Sequence, residues 1–359
     1  MKQVLSFDDV LIVPSFSSIK SRKDVSVKTS FLGENLFPIV SSNMASVTEY
    51  KMALEMQDQG AKGCLHRFMS IGDNIKEYIK SPKETYCSIG LGKLEIERAQ
   101  SLVNVGCKTI VIDVAHGATI ETVKQFKELR YLFRNNINII VGNFATKRSI
   151  DDFKSFIGDY KVDAWKVGIG GGSACTTRKI SGCGLPTLAS IIDCSRVEEP
   201  IIADGGIRGS DDFVKALAAG AKMVMLGGML AGTDEAASTL NVGYSGKLTH
   251  CETLDKKLIL LPTEIGGTYC RVTKTYSGSA SSESYVAQGK EAEHRTPEGE
   301  TFEVAYTGSV ESVLQKLEAG LRSAMAYTGS NTLEEFKERA ELVQITHSGK
   351  KESRAHGRL

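Results

Sequence analysis

No CxxC pair, no apolar run of membrane-spanning length and no excess of charge of either sign occurs in the 359 residues. A formal net charge of +1 supplies no field to draw a polyanion, which argues against nucleic acid as a partner. The missing apolar run argues against a membrane-spanning helix. The opening residues, Met1-Lys2-Gln3-Val4-Leu5-Ser6-Phe7-Asp8-Asp9, lack the apolar core of a secretory signal. Eight cysteines, at 64, 87, 107, 175, 183, 194, 251 and 270, are scattered, a pattern of free thiols in a reducing compartment and not of a disulfide framework. No His/Cys/carboxylate spacing suggests zinc. The expectation is a cytoplasmic protein without nucleic-acid or membrane partners, with room for one large α/β domain or two medium ones.

Against this plain background one stretch stands out, from Lys166 to Arg178. It begins as a strand, Ala164-Trp165-Lys166-Val167, breaks into Gly168-Ile169-Gly170-Gly171-Gly172, and then delivers Ser173, Cys175, Thr176, Thr177 and Arg178. Glycines permit positive φ and close backbone approach, so the loop is suited to wrapping a small ligand. Ser173 and neighbouring amides could hold an anion, and Cys175 could act as a nucleophile. A bare turn with a packing thiol is the plainer alternative. The other seven cysteines read as packing thiols, and His66 and His116 as shaping residues at strand ends.

Eight apolar, β-branched segments alternate with helical periodicity. They are Pro38–Met44, Gly63–Arg67, Cys87–Gly90, Thr109–Val114, Ile137–Asn143, Ala164–Gly168, Pro200–Gly206 and Lys222–Gly228. Helical patterns fall at 47–60, 93–106, 118–134, 147–157 and 210–219. Strict alternation predicts a parallel sheet, and eight units over about 190 residues fit a closed (β/α)8 TIM barrel. Nearly every strand ends in small or polar residues, which a barrel would gather on one face.

After Gly228 the pattern changes. Residues 232–308 are rich in Gly, Ser, Thr and charge, and read as a mobile flap or lid over the barrel mouth, with a β-hairpin at 256–274. Helices are expected at 309–324 and about 332–341, followed by a basic tail over 342–359 that frays. The whole chain reads as one barrel domain. Only Phe68 to Tyr86 joins the second and third units, which leaves no space for an inserted domain.

These residues carry a resemblance. Gly168–Arg178 is similar to the catalytic-loop signature of the IMP dehydrogenase and GMP reductase family. Phe7-Asp8-Asp9-Val10, Ser42-Asn43-Met44, Ile112–Gly117, Val141-Gly142-Asn143, Ala203–Ile207 and Met225–Gly232 stand in the same order. The resemblance implies a purine nucleotide 5′-monophosphate on the barrel mouth. Its phosphate would lie among the amides of Ser173, Gly205, Gly206, Gly227 and Gly228, with its ribose on Asp204. Met44, Tyr276, Ser277, Gly278, Ser279, Arg295 and Gly299 would complete the substrate site. Cys175 would attack purine C2, and hydride would pass between C2 and a nicotinamide.

Within the family the chain resembles the reductases. The dehydrogenases carry an Arg-Tyr pair on the flap, whereas only Arg295 occurs between Tyr276 and Glu298. Thr177 and Glu298 would then form the proton-transfer dyad that releases ammonia, or Glu298 would contact the purine. Ser21, Arg22, Arg67, Asp113, Val114, Ala115, Ile169, Gly170 and Arg295 match the cofactor contacts and imply NADPH. Ile345–Gly349 and Glu352-Ser353 look more like the dehydrogenase C-terminus. They imply a potassium site at Gly170, Gly172, Cys175 and Arg178, and a homotetramer. The chain departs from the family at Gly171 (usually proline), Ala45 (aspartate), Arg67 (lysine) and Ser277-Gly278-Ser279 (Gly-Met-Ser). A dehydrogenase without the regulatory insert, a non-catalytic nucleotide sensor and a flavin-dependent barrel are the alternatives.

Overall fold

The computed structural model describes residues 3–245, 269–279, 281 and 298–353, with 242–245 and 269–271 described by their backbone alone. In chain order the strands are β1 (Val10–Ile12), β2 (Thr29–Phe31), β3 (Glu34–Leu36), β4 (Ile39–Ser41), β5 (Cys64–Leu65), β6 (Tyr86–Ile89), β7 (Thr109–Asp113) and β8 (Asn138–Phe144). They continue with β9 (Ala164–Val167), β10 (Ile201–Asp204), β11 (Met223–Leu226), β12 (Leu240–Ser245), β13 (Tyr269–Ser277), β14 (Thr301–Ala305) and β15 (Leu342–Gln344).

Eight of them, in the order β4-β11-β10-β9-β8-β7-β6-β5, form one parallel sheet. The sheet closes on itself just before β5, where Ser41 N donates to Lys62 O at 2.8 Å and Lys62 N to Ile39 O at 3.0 Å. This is the (β/α)8 barrel expected, on the eight strands expected. Its interior is mostly apolar, with Val111, Ile140, Ala164, Ile202 and Met223 facing inward. The alternate residues Ile110, Ile139, Trp165, Ile201 and Val224 face the helices, as the period of two requires. Trp165 meets Phe144 and Phe153 edge-on, with ring centroids 5.0 and 5.6 Å apart, the geometry aromatic quadrupoles favour. The β2–β3 hairpin closes the lower end, where Phe31 and Leu36 join the interior cluster.

Helices Ile71–Lys80, Thr177–Ser181 and Thr187–Cys194 add to those expected. The last has only eight residues, too few turns for a helical period to stand out. The helix predicted at 309–324 runs from Val310 to Thr328, capped by Ser309 and ended by Gly329 at φ 66°. It crosses helix Ser210–Ala218 closely at Gly320, where a Cβ would lie 1.7 Å from the Ser210 hydroxyl. The helix expected at 332–341 spans Leu333–Arg339.

Two expectations need correction. The hairpin placed at 256–274 has its second strand in β13, but the partner is β12, paired Leu240 to Lys274 and Ser245 to Tyr269; residues 256–268 lie outside those described. Strand propensity is local, whereas the choice of partner is not. The tail also does not simply fray. β15 pairs antiparallel with β1, and helix His347–Glu352 follows it. Asp8 links both ends, 2.8 Å from Arg208 and 2.8 Å from Lys350. Among the described residues no helix is long and apolar enough to cross a membrane.

Hydrogen bonds from Arg208 and Lys350 hold the Asp8 carboxyl well below the usual carboxylate range. A depressed folded-state pKa contributes stability that is present above the unfolded value of about 3.9 and lost as pH falls through the folded one. Because Arg208 is 58% exposed, solvent screens much of this. Asp8→Asn should therefore cost about 1 kcal/mol at pH 7. In urea melts the difference from wild type should shrink below about pH 4; a difference that holds in acid would exclude the ion pair as its source.

Candidate active site

Gly168, which follows β9, has φ +138°, and a Cβ there would sit 2.0 Å from the Asp204 carbonyl oxygen. Only glycine lets the chain turn so tightly against β10. Beyond this turn the loop is tied to a distant segment. Thr176 N donates to Glu298 O at 2.9 Å, Glu300 N donates to Ala174 O at 2.9 Å, and Cys175 forms a β-bridge with Gly299. Gly278 N adds a bond to Glu300 O at 3.0 Å, so the end of β13 joins the same contact.

The result is a linear chain of three side chains. Cys175 Sγ lies 3.2 Å from Thr177 Oγ1, which donates to Glu298 Oε2 at 2.7 Å. Thr177 is buried and Cys175 half-buried. A thiol beside a hydroxyl–carboxylate pair can attack an electrophilic carbon while a proton is passed at the same centre.

Glycines of three loops meet next to this chain. Gly205 and Gly206 have φ of +85° and +80°, and a Cβ at 205 would lie 2.8 Å from Gly172 N. A Cβ at Gly228 would lie 3.0 Å from Ser173 Oγ, and one at Gly227 2.9 Å from the Tyr276 hydroxyl. Such close packing of backbone leaves amides rather than side chains to meet an anion. Tyr276 is buried against Met44 Sδ at 3.4 Å. Burial pushes its phenol up to about 12, against the pull of Ser173, so it stays a neutral donor at neutral pH.

Opposite the glycines stands a charged group. Lys166 Nζ lies 2.6 Å from Asp113 Oδ1 and 2.6 Å from Asp204 Oδ2. Asn143 Nδ2 donates to Asp204 Oδ2 at 2.9 Å and to Gly168 O at 2.6 Å. Lys166 was not among the expected site residues, although its signal is present: a lone charge within a strand otherwise read as buried on both faces. Asn143 likewise received no role.

All these groups border one open cavity of about 1590 Å³. Met44, Ser173, Cys175, Thr177, Asp204 and Glu298 line it, as do the glycine pairs 205–206 and 227–228. Tyr276, Gly278, Ser279 and Gly299 reach it from the covering sheet, and Arg67, Asp113, Val114, Ala115, Ile169, Gly170 and Gly172 from the barrel loops. Past Asp113 the cavity runs on over Leu91, Lys93, Leu94 and Arg98, which carried no sequence signal.

Four expected residues are not in the lining. Ser277 alternates with Tyr276, and its amide bonds Ser46 Oγ at 3.1 Å. Arg178 folds back under the loop, its guanidinium donating to Leu185 O. Arg22 lies over the Tyr327 ring at 5.5 Å, and Ser21 caps the turn beside it. Arg295 lies outside the described residues. Of the carbonyls proposed for potassium, Gly172 O accepts from Cys175 N and Arg178 O from Gly182 N.

Residues 4–252 and 261–356 match the model of the IMP dehydrogenase / GMP reductase domain. The chain belongs to that family. It is 34% identical to the inosine-5′-monophosphate dehydrogenase of Cryptosporidium parvum over 98% of this chain and 94% of that one. With the inosine-5′-monophosphate dehydrogenase of Borreliella burgdorferi it shares 32% over 99% and 97%. With the GMP reductase of Leishmania major it shares 35% over 75% of this chain and 51% of the relative. The family consists of oxidoreductases that act on purine nucleotides with a nicotinamide cofactor.

The close approach at Gly168 makes a sharp prediction. Gly168→Ala should destabilise the protein by more than about 2 kcal/mol in urea melts, since both φ and space forbid a Cβ. Gly172→Ala, whose Cβ would meet only Cys175 Cβ at 3.5 Å, should cost no more than about 1 kcal/mol. Equal costs would mean that the loop does not depend on the turn against Asp204.

Proposed function

We propose that this family member is a GMP reductase, converting GMP, NADPH and two protons into IMP, NADP⁺ and ammonium. The observation that carries the reading is the Cys175–Thr177–Glu298 chain, combined with a flap sequence in which Arg295 and Tyr285 are ten residues apart. No adjacent Arg-Tyr pair is available there to activate water, whereas the Thr177–Glu298 pair suits protonation of a leaving amine.

In this mechanism the amides around Ser173, Gly205–Gly206 and Gly227–Gly228 hold the 5′-phosphate, and Asp204 accepts from the ribose hydroxyls. Cys175 Sγ bonds to purine C2 and the C2–N bond breaks. Thr177, oriented by Glu298, relays the proton that turns the departing amine into ammonia. The nicotinamide supplies one hydride to C2 when bound. The C2–S bond then breaks and Cys175 recovers its electron pair. Arg67, Asp113, Val114, Ala115, Ile169 and Gly170 border the part of the cavity left for the dinucleotide.

Ser21 and Arg22 lie outside the chain's own cavity, so a role for them toward the 2′-phosphate of NADPH requires a neighbouring copy. That fits a homotetramer. Potassium would be held by the carbonyls of Gly170, Gly172, Cys175 and Arg178. A cytoplasmic location fits the dispersed cysteines.

A second reading, IMP dehydrogenase, draws on the near-full-length relatives that carry that name. Absorbance of reduced nicotinamide separates the two. GMP with NADPH should lose signal and release ammonia, whereas IMP with NAD⁺ and potassium should stay flat; the reverse would overturn the proposal. Cys175→Ala should abolish turnover yet still bind GMP. Glu298→Gln should lower kcat by about 10²–10⁴-fold if the dyad moves the proton, and a change confined to KM would assign Glu298 to purine binding instead.

A further inference from the structure

β9 reads Ala164-Trp165-Lys166-Val167, and the alternation that turns Trp165 and Val167 onto the helices turns Lys166 into the barrel. The layer beneath is apolar, with Ile140, Ala164 and Ile202 facing inward. An ammonium at that height needs partners from the protein. Space for its stem comes from the neighbouring strand, where Gly142 is its ladder partner. A Cβ at Gly142 would lie 2.4 Å from that of Lys166. The side chain, 3% exposed, rises from there to the mouth and ends between Asp113 and Asp204, 2.6 Å from an oxygen of each.

We propose that Lys166 is a positioning residue that couples the two nucleotide sites, one buried ammonium orienting both the carboxylate for the mononucleotide ribose and the carboxylate on the dinucleotide side. The inference rests on the functional reading above, which puts substrate on Asp204 and cofactor by Asp113. Asp204 Oδ2 accepts from both Lys166 and Asn143, which leaves Oδ1 to meet a ribose hydroxyl. Asp113 is turned the same way by its Oδ1 contact.

The charges support one another. Burial disfavours the ammonium, but Asp113 and Asp204 outweigh it and hold Lys166 above the ordinary lysine range. Burial likewise disfavours the Asp113 carboxylate, and Lys166, with Arg67 behind it, outweighs that and holds it below the usual range. The other titratable neighbours are Cys64 beneath the trio and, on the Asp204 side, Tyr276 and Cys175. Without the ammonium the two carboxylates become a like-charge pair, one of which takes up a proton. A protonated carboxyl is a poorer acceptor for a diol, so a single substitution weakens both ligands.

Calorimetric titration with GMP and, separately, with NADP⁺ tests this between pH 6.5 and 8.5 on wild type, Lys166→Met and the double variant Lys166→Met/Asp113→Asn. Lys166→Met should weaken both ligands by about 10-fold near neutral pH. The ratio to wild type should narrow as pH rises, because the lost ionisation returns. In the double variant Asp204 no longer faces a like charge, so GMP should bind within about 3-fold of wild type while NADP⁺ stays weak. The double variant also removes the repulsive pair, so it reads the coupling even where the single variant does not fold. Unchanged binding in Lys166→Met would overturn the coupling. So would a loss that is flat with pH and not recovered for GMP in the folded double variant. A wild type that binds neither nucleotide would instead overturn the functional reading, and the coupling with it.

Discussion

The alignment of Cys175, Thr177 and Glu298 depends on a short antiparallel contact between residues 174–176 and 298–300. Two main-chain bonds, Thr176 N to Glu298 O and Glu300 N to Ala174 O, join segments that lie far apart in the chain. Antiparallel bonding fixes which residues stand opposite one another. Here it brings Glu298 to Thr177 and Thr177 to Cys175. Because Glu300 also accepts from Gly278 N, β13 and β14 are locked to the same line, and Tyr276 arrives over the glycines with them. Barrel and covering sheet thus meet at Cys175.

The barrel supplies a graded environment beneath that contact. Its lower layers are largely apolar, with the β2–β3 hairpin sealing the end and Glu34 of that hairpin pairing with the buried Lys62 at 2.6 Å. Toward the mouth charged groups gather, at Lys166, Asp113 and Asp204, with Asn143 beside them. An ion pair placed on such a floor has little competition from water, so its geometry is more tightly held than on a surface. Loops then follow in which backbone amides replace side chains, at 168–172, 205–206 and 227–228. The tight turn at Gly168 connects the two regimes, since it presses the loop against the carbonyl of the same Asp204 that Lys166 orients.

Much of this was legible beforehand. All eight barrel strands overlap the segments that apolar alternation marks, with β6 starting and β8 ending one residue outside them, and Cys175, Thr177, Asp204 and the glycine pairs border one cavity. Helix Thr187–Cys194 is not legible because its eight residues span barely two turns, too few for a helical period to stand out. Ser277 stands beside expected site residues in the sequence, but strand alternation separates it from Tyr276. Ser21 and Arg22 carry the family pattern but border a different face. Lys166 stands in the sequence as one polar residue of an apolar strand, and a residue's partners on other strands leave no trace in its own neighbourhood.

What the amino-acid sequence determined by itself is the eight barrel strands, their alternation with helical segments, and hence a closed barrel with its polar ends on one side. These follow from periodicity and turn chemistry, which act over a few residues. Only the tertiary structure decided which polar groups face one another. Lys166 between two aspartates, β12 against β13, and Glu298 on Thr177 each join chain segments tens of residues or more apart. Such pairings arise when the barrel closes and buried charges and edge amides must find partners, a requirement imposed by desolvation and not by any local pattern.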